Sequence, residues 1–100
     1  MQLFDAETVH KLLPYETLIP ALGKMHEGEI PSGNSVHIKD PSGADNMFVT
    51  LPGWLSGQLI VVKMVGIFPD NRERKPPLGS VLGAVAAFDA ETGAPVLVAD

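Results

Sequence analysis

Two long apolar runs in the second half of the chain restrict the possible folds most. Residues 59–68 (LIVVKMVGIF) and 80–88 (SVLGAVAAF) are apolar at nearly every position and rich in β-branched or small side chains. Apolar runs of this length are typical of strands that are covered on both faces. We therefore predict two long strands here, each of which needs a covering layer on both sides.

The N-terminal part of the sequence predicts two short helices. Asp5 is a favourable N-cap, because its carboxylate can accept hydrogen bonds from the free amides of the first turn, and Pro14 ends this first helix. A second helix is predicted to follow directly and to stop near Gly28. With Thr17 as its N-cap, Pro20 would occupy the third helical position, where a missing N–H costs no intrahelical bond.

Shorter strand signals lie at residues 36–38, 47–51 and 96–98. Pro52 and Gly53 are predicted to close the second of these strands, and DAETG (89–93) predicts a hairpin turn. Because helices and strands occur in separate blocks, we predict an α+β fold. The pattern favours two N-terminal helices followed by a mainly antiparallel sheet of about five to six strands, with no Rossmann domain in this chain.

The polar segment DNRERKPP (70–77) separates the two long strands. It carries too much charge to pack, so we predict solvated surface there. Two short helices cannot cover both faces of such a sheet, and we expect the remaining apolar face to meet a partner subunit or a further part of the polypeptide. The sequence also reaches Asp100 directly after an apolar strand, and we expect a longer natural chain on that ground.

Charge and composition exclude several classes of function. The net charge is -5 with a pI of about 5.0, and no basic stripe is available to neutralise phosphates, so we predict no nucleic-acid binding. The chain has no cysteine and its N-terminus lacks the pattern of a signal peptide. The apolar run 59–68 is too short to cross a bilayer as a helix. We predict a cytoplasmic protein without a membrane partner.

Lys63 interrupts the first long apolar run. Strand periodicity places it on one face with Leu59, Val61, Val65 and Ile67. A lysine there is desolvated unless it pairs with an anion or reaches a cavity. It could bind a substrate carboxylate or donate a proton; alternatively, it lies near a strand end and its ammonium group reaches water. The pattern alone slightly favours the second interpretation.

Other residue types with chemical potential give weaker signals. His37 stands in a strand beside a loop and could line a pocket, although ordinary polar alternation explains it as well. Trp54 could wall a pocket or seal the core, and packing is the default. No histidines are spaced as metal ligands, so we predict no metal site. The chain contains no GxGxxG, GxxxxGK[ST] or GxSxG motif.

The order of several segments resembles the ornithine cyclodeaminase/mu-crystallin family. These segments are KMVGIFPDN (63–71), GAVAAFDAETGAP (83–95) and VLVAD (96–100). In addition, LPGW (51–54) is similar to the short Met-Pro-Ala-Tyr-type segment of that family. The combination is more specific than any one of these segments, and the similarity spans nearly the whole chain.

The resemblance implies an NAD(P)-dependent, two-domain homodimer. The N-terminal part of such enzymes binds substrate and forms the dimer through its sheet, and a following Rossmann domain carries NAD or NADP. Activities in the family include ornithine cyclodeamination, alanine dehydrogenation and ketimine reduction. Residues 1–100 would then be one domain for substrate binding and dimerisation. Lys63 would be the catalytic and substrate-binding residue, beside the substrate carboxylate, with His37 and Trp54 as further substrate contacts.

Two departures from the family pattern leave an alternative open. No arginine is present at residues 35–38, where the family usually grips the carboxylate, and Leu82 stands where a histidine or glutamine is common. We expect the isolated chain to bind no cofactor and to be inactive. The alternative is a non-enzymatic dimerisation or small-ligand-binding module derived from the family. A third possibility is an unrelated α+β protein.

Overall fold

The computed structural model describes every residue from Met1 to Asp100. Two α-helices and seven strands follow one another, with a short 3-10 helix at Pro69–Glu73. The α-helices are α1 (Ala6–Leu12) and α2 (Tyr15–Met25). The strands are β1 (Gln2–Phe4), β2 (Ser32–Gly33), β3 (Val36–Lys39), β4 (Met47–Leu55), β5 (Leu59–Ile67), β6 (Val81–Asp89) and β7 (Pro95–Ala99).

All seven strands form one sheet in the order β1-β7-β6-β5-β4-β2, and β3 also pairs with β4. Every pairing is antiparallel except that of β1 with β7, which is parallel. The predicted α+β class, with two helices and a mainly antiparallel sheet, is confirmed. The additional strands β1 and β2 have three and two residues, too few to show an alternating pattern in the sequence.

Strand β4 does not stop at Pro52 as predicted. It continues through Pro52 and Gly53 to Leu55, in unbroken register with β5. On its other side, β4 pairs with β2 at Gly53 and with β3 from Thr50 onward. Pro52 therefore lies at the junction between these two partners, a position in which a strand tolerates a residue without an N–H group.

Helix α2 begins earlier than predicted. Its N-cap is Pro14, and the Thr17 hydroxyl donates to the Pro14 carbonyl at 3.0 Å instead of capping the helix. Pro20 is therefore inside the helix, where it removes the bond that its N–H would make to Glu16. The N-cap of α1 is Asp5 as predicted, and its carboxylate accepts a hydrogen bond from the amide of Thr8 at 2.9 Å.

The helices leave most of the apolar surface uncovered. Only four apolar residues are buried, namely Val49, Val65, Ala86 and Ala87. On α2, Ile19 and Met25 are 64% and 66% exposed, so its apolar stripe contacts little. The expectation that two short helices cannot cover this sheet is confirmed. No helix is long and apolar enough to cross a membrane.

The connection between β5 and β6 is more ordered than its charge suggests. It contains the 3-10 helix, and Asn71 within that helix is only 9% exposed. The Asn71 side-chain amide donates to the carbonyl of Gly79 at 3.1 Å. The prediction that residues 70–77 form a purely solvated loop is therefore wrong, because one short polar side chain finds its partners in the backbone and allows the segment to pack.

Candidate functional site

Lys63 is the middle residue of β5, and β5 lies between β4 and β6. Its direct partners in the sheet are Leu51 on β4 and Val85 on β6. The alternative that placed this lysine near the end of an edge strand is therefore wrong. A cation in the centre of a sheet needs another explanation.

The ionisable residues of the strands all share the face of Lys63. The register brings His37 and Lys39 of β3 onto this face through Val49 and Met47, and Asp89 of β6 through Leu59. The opposite face carries no ionisable strand residue. We call the first the lysine face and the second the apolar face. Because charged groups are costly to bury, the lysine face is the better candidate for binding a polar ligand.

An open concavity of about 280 Å³ lies beside Lys63 on the lysine face. Its lining consists of Lys63, Val65, Val81, Gly83, Ala84, Val85 and Asp100. An added Cβ at Gly83 would collide with the carbonyl oxygen of Met64, so only glycine lets β6 approach β5 this closely. The concavity thus combines an apolar wall with one cation and one carboxylate, a composition suited to small amphipathic ligands.

The ammonium group of Lys63 has no partner within the chain. It makes no side-chain hydrogen bond, and the one ion pair of the structure joins Lys11 to Glu7 on α1. The side chain is exposed, whereas the sequence pattern predicted desolvation. The reason is that neither helix covers this part of the sheet. Lys63 is therefore an accessible, unpaired cation over an apolar wall.

The acidic groups near the lysine face are engaged in their own turns. The Asp89 carboxylate accepts hydrogen bonds from the Thr92 hydroxyl and amide, both at 2.7 Å. These bonds hold the pKa of Asp89 below its ordinary value. In the β3–β4 loop, bonds from Ser42 and Asn46 lower the pKa of Asp40 in the same way. Neither carboxylate neutralises Lys63.

The three residues predicted to contact substrate do not lie together. His37 shares the lysine face, but it is on the edge strand β3 and pairs with Val49, two positions along β4 from the partner of Lys63. Trp54 lies on the apolar face, because it is three residues beyond Leu51 in a strand that runs on without interruption. The chain therefore brings His37, but not Trp54, to the side of Lys63.

Sequence reasoning did not single out Gly83, Val85 or Asp100 as lining the site. A signal existed for Val85, since two long neighbouring strands in antiparallel register must place some residue opposite Lys63. That register could not be read without the β5–β6 connection, whose length and order depend on Asn71.

The fold and sequence are similar to those of known enzymes. The chain is 30% identical over 103 residues to a Δ1-pyrroline-2-carboxylate reductase from Colwellia psychrerythraea, with 100% of this chain and 32% of that protein covered. A lysine cyclodeaminase, whose structure explains recognition of L-lysine, L-ornithine and L-2,4-diaminobutyric acid, matches with a TM-score of 0.75 and 20% identity over 100% of this chain and 32% of its own. The resemblance to the ornithine cyclodeaminase/mu-crystallin family is confirmed.

A further structure shows the same fold in this family. The Δ1-pyrroline-2-carboxylate reductase of Thermococcus litoralis, determined with NADH and L-proline, matches with a TM-score of 0.83 and 23% identity. The match covers 99% of this chain and 31% of the T. litoralis enzyme. No protein-family model matches the sequence. The chain therefore spans about a third of the length of the relatives that it matches.

Proposed function

We propose that this chain is the substrate-binding and dimerisation domain of an NAD(P)-dependent amino-acid or imino-acid oxidoreductase or cyclodeaminase of the cytoplasm. The observation that carries the proposal is Lys63, an unpaired cation at the centre of the sheet beside an apolar concavity. The similarity to two Δ1-pyrroline-2-carboxylate reductases and a lysine cyclodeaminase supports the same class of ligand.

Lys63 would bind the carboxylate of a small amino or imino acid. A charge-assisted bond from its ammonium group is strong where water is excluded, and the valines of the concavity would pack against the carbon skeleton of the ligand. During the reaction the same group would polarise the substrate and stabilise charge that develops next to the reacting carbon. His37 would contact the polar end of a longer substrate from the same face.

This chain by itself does not fit a nicotinamide dinucleotide. It has no GxGxxG motif, and its one parallel strand pair, β1 with β7, lies at the sheet edge. Under this proposal the cofactor, which supplies or accepts hydride, binds to a further part of a longer polypeptide. Residues 1–100 would supply the substrate carboxylate site and the dimer contact, and would be inactive alone.

The apolar surface supports the proposed homodimer. Leu82 and Trp54 are each 52% exposed on the apolar face, and Phe48 on the same face is 44% exposed. Large apolar side chains gathered on one charge-free surface mark a protein contact, since each gains free energy when it leaves water. We propose that a second copy of the chain covers part of the sheet.

The second candidate is a non-enzymatic dimerisation or small-ligand-binding module derived from the same family. The absence of an arginine at residues 35–38 favours it, because Lys63 would then hold a carboxylate without help. The coding sequence after Asp100 separates the two candidates. A glycine-rich dinucleotide fingerprint there supports the enzyme, whereas a stop codon and no co-purifying NAD(P)-binding chain support the module.

The experiment that tests the proposed site is calorimetric titration of L-proline into the protein as its gene encodes it. Replacing Lys63 by methionine keeps the length of the side chain and removes the charge. We expect affinity to fall roughly 10- to 100-fold, the value of a hydrogen bond to a charged group. The control is Lys24→Met on α2, which should leave affinity unchanged. Equal affinity of both variants would refute the role of Lys63.

A further inference from the structure

Asn71 is the only buried polar side chain in the structure, and the proposed function does not use it. It lies in the 3-10 helix that connects β5 to β6. Buried amides are retained where their hydrogen bonds fix a backbone conformation that apolar side chains cannot fix. We therefore traced which parts of the chain Asn71 holds.

The hydrogen bonds of Asn71 join the two ends of this connection. Its backbone N–H donates to the carbonyl of Phe68 at 3.1 Å, just after β5. Its side-chain Nδ2 donates to the carbonyl of Gly79 at 3.1 Å, and its own carbonyl accepts from the amide of Leu78 at 3.0 Å. Its Oδ1 accepts a bond from Nε of Arg74 at 3.0 Å. One residue thus links the end of β5 to the residues that precede β6.

The start of β6 forms part of the wall of the concavity beside Lys63. Residues Val81, Gly83 and Val85 alternate along this strand and line the concavity. The Phe68 amide donates to the carbonyl of Ser80 at 2.8 Å, directly before Val81. The position of Val81 therefore depends on where the segment 78–80 is held, and Asn71 holds it.

We infer that Asn71 is a positioning residue for the ligand of Lys63. It fixes the first residues of β6, and with them the apolar wall against which the ligand packs. This inference rests on the proposed function of Lys63. Loss of the Nδ2 donor leaves the Gly79 carbonyl without its partner and releases the connection, so that the wall no longer has one position. Because a small misplacement of a binding group costs much affinity, we expect roughly tenfold weaker binding.

The test compares Asn71→Ala with a matched loop variant, Asn46→Ala. Asn46 also donates an amide hydrogen bond inside a loop, to Asp40 at 2.7 Å, but it does not line the concavity. Two quantities are measured on the protein as its gene encodes it: the Kd of L-proline by calorimetry, and amide hydrogen exchange at Val81 and Gly83. Asn71→Ala should weaken binding about tenfold and speed exchange at Val81. Asn46→Ala should change neither.

Two further variants separate positioning from general stability. Asn71→Asp keeps the acceptor for Arg74 but loses the donor to Gly79, so it should reproduce the loss of affinity even where Asn71→Ala folds poorly. Arg74→Ala removes only the outer bond and should keep affinity. A folded Asn71→Asp protein with the wild-type Kd and wild-type exchange at Val81 would overturn the inference.

Failure of the proposed function gives a different result. If the wild-type protein binds no L-proline, the assignment of Lys63 fails. Hydrogen exchange still decides the inference about the wall, because it needs no ligand. Faster exchange at Val81 in Asn71→Asp, with none in Asn46→Ala, supports it; identical exchange in the two variants contradicts it.

Discussion

Replacing Gly83 by alanine is expected to destabilise the protein, against the usual effect of such a change. Glycine in a strand costs roughly 0.5–1 kcal/mol relative to alanine, because the unfolded chain has more freedom. At position 83, however, an added Cβ would collide with the carbonyl oxygen of Met64 and come within 3.4 Å of the Cα of Val65. Both are backbone atoms of β5, so no side chain can rotate away.

Relief of this overlap requires β6 to move away from β5, which lengthens ladder hydrogen bonds beside Lys63. Overpacking of this kind costs typically about 1–3 kcal/mol, more than the gain from lost glycine entropy. We expect a net loss of about 1–2 kcal/mol in the free energy of unfolding and a fall in Tm of roughly 4–16 °C for a domain of this size. Urea denaturation and thermal unfolding followed by circular dichroism measure both quantities.

The matched control is Gly53→Ala in the neighbouring strand β4. A Cβ there would meet the Pro31 side chain at 3.6 Å, an ordinary van der Waals contact. This variant should be neutral or slightly stabilising. A Gly83→Ala protein as stable as the Gly53→Ala protein would refute the close approach of β5 and β6 beside Lys63.

Three further predictions follow from the fold. Pro20→Ala restores the backbone N–H inside α2 and should raise the free energy of unfolding by about 1–3 kcal/mol, measured by urea denaturation; a loss of stability would contradict the placement of Pro20 within the helix. Asp89 has a lowered pKa in the folded state, so its contribution to stability is present above its ordinary pKa of 3.8 and is lost as the pH falls through the lowered value. Asp89→Asn should therefore flatten the acid side of the profile of Tm against pH, and an unchanged profile would contradict this. Ile19→Gln changes a side chain that is 64% exposed in this chain, and should alter stability by less than about 0.5 kcal/mol in a dilute, monomeric sample; a larger loss would show that α2 is covered.

The class of fold could be predicted from the sequence because its main signals are local. The long apolar runs, the Asp5 N-cap and the DAETG turn each depend on a few neighbouring residues, and the structure confirms them. The bounds of β4 and α2 were wrong for one reason. In both, a proline was taken as a stop or placed in the first turn, and tertiary pairing or the preceding residue allowed the element to run through it.

The candidate site was only partly predictable. Lys63 stands out in any reading of the sequence, but its surroundings depend on long-range register. The alternation that puts Trp54 on the apolar face follows only once β4 is known to continue through Pro52. Likewise, the packed state of the β5–β6 connection depends on the hydrogen bonds of Asn71, which no pattern of hydrophobicity reports.

The central claim is that the ammonium group of Lys63 binds the carboxylate of a small amino or imino acid. Nuclear magnetic resonance of the protein with ¹³C-labelled lysine side chains, during titration with L-proline, tests it most directly. We predict saturable shifts of the Lys63 ε-carbon together with the Val85 methyl groups, while the Lys24 signal stays unchanged. A Lys63 signal that does not respond at ligand concentrations that saturate the protein would contradict the account.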